Sequence, residues 1–133
     1  MAAPGHERGS RSARTFPGRP QSVTAVRRFV RDALRDQPPE TVDAAELMAC
    51  ELATNCVQHA HCDFELVIQA QDGIRVEVRD TNLGRPVVGY PAPEDRSGRG
   101  LGIVEAMSDA WGIVPSSSGK TVWFALGSLS PRR

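Results

Sequence analysis

The sequence predicts an α/β chain in which an antiparallel-rich sheet carries its helices on one face. Three observations point there. Apolar residues recur at helical spacing in two segments before residue 60. Two alternating runs meet at Asp72-Gly73, a strong signal for a two-residue hairpin. A second pair of strand-like runs then closes the chain behind a short helical stretch. The order helix, helix, two strands, irregular segment, helix, two strands suits sequential strand pairing with the helices gathered on one side.

Taken in order, residues 1–14 read as a disordered basic leader, and Arg8, Arg11, Arg14 and Arg19 sit in a Pro/Gly/Ser-rich setting opposed by Glu7 alone. Residues 15–127 read as the folded domain and 128–133 as a tail. Ala13 to Phe16 can form a short edge strand before Pro17-Gly18. Ser22 is a candidate N-cap for the first helix, whose apolar stripe is Val23, Val26, Val30 and Ala33, and Pro38-Pro39 ends it. Thr41 is a candidate cap for the second helix, which runs to Ala60. Leu66, Ile68 and Ala70 share one face of the run 63–71, as Ile74, Val76 and Val78 do in 74–80. The stretch 81–97 has three prolines and no period, as expected of a mobile lid. Ile103, Val104 and Met107 suggest a short helix. Trp111 to Val114 and Lys120 to Leu126 read as strands joined by a turn at Ser116-Ser117-Ser118-Gly119.

At 133 residues there is room for one core and not two. Lys+Arg and Asp+Glu are both 16, so charge gives no reason to invoke nucleic acid or a membrane surface. No apolar run approaches a membrane span and no signal-peptide core opens the chain, so a cytoplasmic location is expected. The 3 cysteines make no disulfide framework. Cys50, Cys56 and Cys62, with His59 and His61, lack the close C-x₂₋₄-C pair of structural zinc sites.

The second helix carries the most informative residues. Ala45, Met48, Ala49, Leu52 and Cys56 form its buried face. Glu51, Asn55 and His59 follow at steps of four, with Gln58 beside them, and so fall within one sector next to that face. A carboxylate, a carboxamide and an imidazole placed there are costly unless something satisfies them, and a metal–phosphate ligand would. A solvated helix face is the commoner fate of such a group.

Two further features are weak singly. Gly98-Arg99-Gly100-Leu101-Gly102 opens the third helix, where glycines allow close approach of an anion to free N–H donors. It is no dinucleotide fingerprint, because it follows a loop and position 103 is Ile103 rather than glycine. Gly119-Lys120-Thr121 ends like a phosphate-binding loop, but Val114 stands where the earlier glycine is required and a strand follows. Asp80 ends a strand, where its carboxylate can accept a hydrogen bond from an exocyclic amine, although a turn aspartate is the ordinary alternative. Asn82 and Gly84 behind it both tolerate left-handed backbone.

In combination and in this order, Glu51-x-x-x-Asn55, Asp80-x-Asn82-x-Gly84 and Gly98-Arg99-Gly100-Leu101-Gly102 resemble the N, G1 and G2 boxes of the histidine-kinase/Hsp90-like ATPases. The chain is most similar to the small anti-sigma regulatory factors that act as protein serine kinases, in their short actinobacterial form. Ala110-Trp111-Gly112 and Gly119-Lys120-Thr121-Val122-Trp123-Phe124 also look typical of that group, and the resemblance spans about Ser22 to Leu126. It implies a two-layer sandwich, a mixed and mostly antiparallel sheet under about three helices. It implies ATP and Mg²⁺ as ligands, with Asn55 holding the metal. Asp80 would read the adenine amine, supported by Thr121 through water, and Asn82 and Gly84 would shape the turn beside it. Gly98, Gly100, Leu101 and Gly102 would wrap the phosphates, with Arg99 or Arg96 as charge partner. Glu51 would be the general base toward a serine hydroxyl. The family usually has glycine where this chain has Asn82.

The activity so implied is protein serine/threonine kinase activity toward an anti-sigma antagonist of the STAS type, with sequestration of a sigma factor. The alternative is a non-catalytic ATP-binding module that only grips its partner. Relatives dimerise, and the exposed face of the first helix could serve such an interface.

Overall fold

The computed structural model describes residues 10–60, 63–80, 101–116 and 119–127. Strand β1 spans Ser10–Phe16, helix α1 Gln21–Ala33, and helix α2 Pro39–Asn55, extended by a π-helical turn at Cys56–Ala60. Strands β2 (Phe64–Ala70) and β3 (Ile74–Asp80) follow. A helix covers 101–107, here α3. Strands β4 (Ala110–Ser116) and β5 (Gly119–Leu126) end the domain. The five strands form one sheet in the order β1-β2-β3-β5-β4. Every ladder among the described strands is antiparallel, so the parallel component implied by the resemblance is not found in them.

Alternation divides the sheet into two faces. The helix-side face carries Leu66, Ile68, Ile74, Val76, Val78, Val122 and Phe124 against Val26 and Val30 of α1 and Ala45, Met48, Ala49 and Leu52 of α2. Val104 brings α3 into the same core. The outer face is polar, and guanidinium–carboxylate pairs tie its strands together. Glu77 accepts from Arg75 at 3.1 Å and from Arg79 at 2.7 Å, and Arg79 also reaches Glu65 at 3.4 Å. Beneath this layer Val67 is buried, although it lies opposite Leu66 and Ile68. Trp123 lies flat on Gly112, where a Cβ would stand 2.8 Å from the indole Nε1, and Arg75 covers the ring at 4.1 Å.

Several expectations need correction. β1 begins at Ser10, so the segment 10–14 is strand rather than leader, and it pairs with β2 along its length. Ser22 lies inside α1, where its buried hydroxyl donates to the Pro17 carbonyl at 2.6 Å and ties the helix start to the end of β1. The residue at the N-cap is Pro20. Thr41 likewise lies inside α2, which begins at Pro39 behind Pro38. A proline in the first turn needs no N–H partner and already has helical φ, so Pro38-Pro39 starts the second helix rather than stopping the first. The β2–β3 loop is one residue longer than expected. Ala70 pairs with Ile74, leaving Gln71, Asp72 and Gly73 in the loop, the last two at φ 59° and 112°. The expected lid, 81–97, lies outside the described residues.

The two long helices are joined through Glu46 of α2. It accepts from Arg27 at 2.8 Å and also pairs with Arg31, which reaches Asp43 at 3.3 Å. Among the described residues no helix is long and apolar enough to cross a membrane.

Candidate functional site

Asp80 is the last residue of the central strand β3 and pairs across β2 with Phe64, which itself pairs with Phe16 of β1. The two phenyl rings stack at 5.6 Å, so the carboxylate extends a row of aromatic side chains on the helix-side face. Its side chain is 11% exposed. An acidic group held at the mouth of an apolar row is placed to receive a donor from a flat, partly apolar ligand.

The same register brings α2 to this end of the sheet. The chain leaves α2 at Asn55, makes the π turn to Ala60, and enters β2 at Phe64, the residue that pairs with Asp80. Glu51 and Asn55, one turn apart and both half-buried, therefore sit at the Asp80 end. Thr54, between them, donates back to the Cys50 carbonyl at 2.7 Å. The π turn was not foreseen. It adds a residue to the turn after Asn55, so the four-residue stacking expected through His59 stops at Asn55. Gln58 is exposed, and the side chain of His59 lies outside the described residues. Beside Glu51, burial raises the pKa of the Cys50 thiol, opposed by Arg27 and reinforced by Glu46 and Glu51, so Cys50 behaves as a packing residue.

Strand β5 also begins here. Gly119 has φ +146°, and a Cβ on it would stand 2.4 Å from the carbonyl oxygen of Asp80. The two backbones approach closely, and the β3–β5 register sets which face each residue of early β5 takes. Thr121 pairs with Arg79 and so projects from the outer face, away from Asp80. The structure does not bring Thr121 and Asp80 together. Lys120 takes the helix-side face instead, with Nζ 3.9 Å from Asp80 Oδ2. Sequence reasoning passed over Lys120 because its glycine-lysine pair fails as a phosphate loop. The available signal was the strand alternation counted back from Val122 and Phe124.

Of the expected phosphate-wrapping residues, Leu101 and Gly102 lie in α3. Leu101 packs against the core, and Gly102 is exposed with open space where a side chain would be. Asn82, Gly84, Arg96, Gly98, Arg99 and Gly100 lie outside the described residues. Among the described residues no three His, Cys, Asp or Glu side chains gather as a metal-binding group.

No curated protein matches the chain. The family of the histidine kinase-like ATPase domain matches residues 16–126, nearly the whole described domain. With its antiparallel sheet and helices on one face, the chain belongs to the histidine kinase-like ATPase domain family.

Proposed function

We propose that this ATP-binding domain is a protein serine/threonine kinase of the anti-sigma regulatory type, acting on an antagonist protein of the STAS kind and sequestering a sigma factor. The observation that carries the reading is the placement of Glu51 and Asn55 on one helical turn at the Asp80 end of the sheet. A site that only held Mg²⁺–nucleotide would use the Asn55 amide but would need no second carboxylate at Glu51.

The residues present suit the ligands. The Asp80 carboxylate accepts from an amine on a ring seated against the apolar end of the sheet, and the Asn55 carboxamide offers the neutral oxygen that a hard cation takes. ATP supplies the transferable phosphoryl group when bound. Glu51 Oε accepts the proton of an incoming serine hydroxyl, which makes that oxygen the better nucleophile. The half-burial of Glu51 limits competing water on one side of it.

Labelled ATP incubated with the protein and a candidate antagonist tests this directly. Glu51→Gln keeps the shape of the side chain and removes the base, so transfer should fall by about 10²–10⁴-fold while ATP affinity holds. Asn55→Ala should lose Mg²⁺-dependent binding and transfer together. Transfer at the parent rate by Glu51→Gln removes Glu51 from the mechanism. A parent protein that binds ATP and phosphorylates no antagonist is a sequestering module instead of a kinase.

A further inference from the structure

The β3–β5 register sets a second polar group beside the Asp80 carboxylate. With Thr121 turned to the outer face by its pairing with Arg79, Lys120 is the β5 residue that projects on the side of Asp80. Its Nζ is 3.9 Å from Asp80 Oδ2, close enough for charge attraction and too far for a hydrogen bond. The Lys120 side chain is 53% exposed and that of Asp80 11%, so the pair reaches from the apolar row out toward solvent. The Asp80 carboxylate has lone pairs for more than one donor, and the Lys120 ammonium has three N–H donors and no acceptor.

An acceptor and a charged donor side by side complement a heterocycle edge that shows an amine next to a ring nitrogen. A 6-aminopurine shows that arrangement twice, with the amine flanked by N1 on one edge and N7 on the other. We infer that Lys120 is a specificity-determining residue of the nucleotide site, donating to the ring nitrogen beside the amine that Asp80 accepts. The inference rests on the ATP reading above and adds a contact to it. The base is then held by a matched acceptor–donor pair, in which the lysine reads the ring and the aspartate reads its substituent.

The test is calorimetric binding of ATP, 1-deaza-ATP, 7-deaza-ATP and GTP to the parent and to Lys120→Met, which keeps length and removes the donor. Lys120→Met should bind ATP about 10–100-fold more weakly, the range for losing a charge-assisted hydrogen bond. One deaza analogue should lose a similar factor on the parent and nothing further on the variant, a coupling that a merely structural lysine would not produce. The inference fails if Lys120→Met binds ATP like the parent, or if both deaza analogues bind the parent like ATP. GTP bound as tightly as ATP would assign the ammonium to a carbonyl oxygen and overturn it as well. A parent that binds ATP yet shows any of these results refutes this inference alone. A parent that binds no ATP refutes the nucleotide reading with it.

Discussion

Asp80 carries the clearest consequence of any single residue. Its carboxylate ends the Phe16–Phe64 row in a mostly enclosed position, so an amine donated to it forms a charge-assisted bond with little competition from water. Asp80→Asn keeps the volume and removes the charge. Because hydrogen bonds to charged groups contribute about 1.5–3 kcal/mol, ATP affinity should fall by about 10–100-fold in calorimetry. An unchanged affinity would show that the base lies elsewhere. The positions of Asp80, Glu51 and Asn55 are legible in the sequence because each is fixed by local periodicity, a strand end or a helical turn. The faces taken by Lys120 and Thr121 are not legible in the same way. Which of them faces Asp80 depends on the β3–β5 register, and that pairing joins residues far apart in the chain.

At the scale of elements, alternation finds the β2–β3 hairpin and helical spacing finds α1 and α2, while element ends are misplaced for identifiable reasons. Ser22 and Thr41 have capping side chains, yet prolines ahead of them start both helices. The π turn at Cys56–Ala60 is set by a backbone bonding shift that no side-chain pattern announces. Outer-face chemistry gives the element-level prediction. Burial pushes the Glu77 carboxyl up, but hydrogen bonds from Arg79 and Arg75 outweigh it and hold the group below its ordinary 4.5. A carboxylate with a lowered folded pKa stabilises the fold fully above the unfolded value and loses that contribution as pH falls through the folded one. Glu77 joins β3 to itself and, through Arg79, to Glu65 of β2, so the loss is felt across two strands. In urea unfolding, Glu77→Gln should be less stable than the parent near neutral pH, and the difference should shrink as pH falls below about 4. A gap that stays constant with pH would place the effect in packing and not in charge.

For the whole molecule, the arrangement follows from one register: α2's carboxyl end, the end of β3 and the start of β5 meet at one margin of the sheet, opposite the β2–β3 loop. A ligand held there touches elements from the middle and the end of the chain, so binding opposes unfolding of the domain as a unit. ATP with Mg²⁺ at about 100 times its dissociation constant should stabilise the fold by about 2.7 kcal/mol, which for a domain of this size raises Tm by about 10 °C in a thermal melt. No shift at saturating nucleotide would mean that the described fold does not contain the binding site. That the site lies at one end of the sheet was only half legible, since the helix and the hairpin are visible in sequence and their meeting is not. The two tryptophans of the closing hairpin lie on opposite sides of that sheet. Trp111 packs toward the helical layer, whereas Trp123 is held between Arg75 and Gly112 on the outer face. The domain therefore carries two native optical probes, and single Trp→Phe variants would let emission distinguish loosening of the helices from loosening of the outer surface.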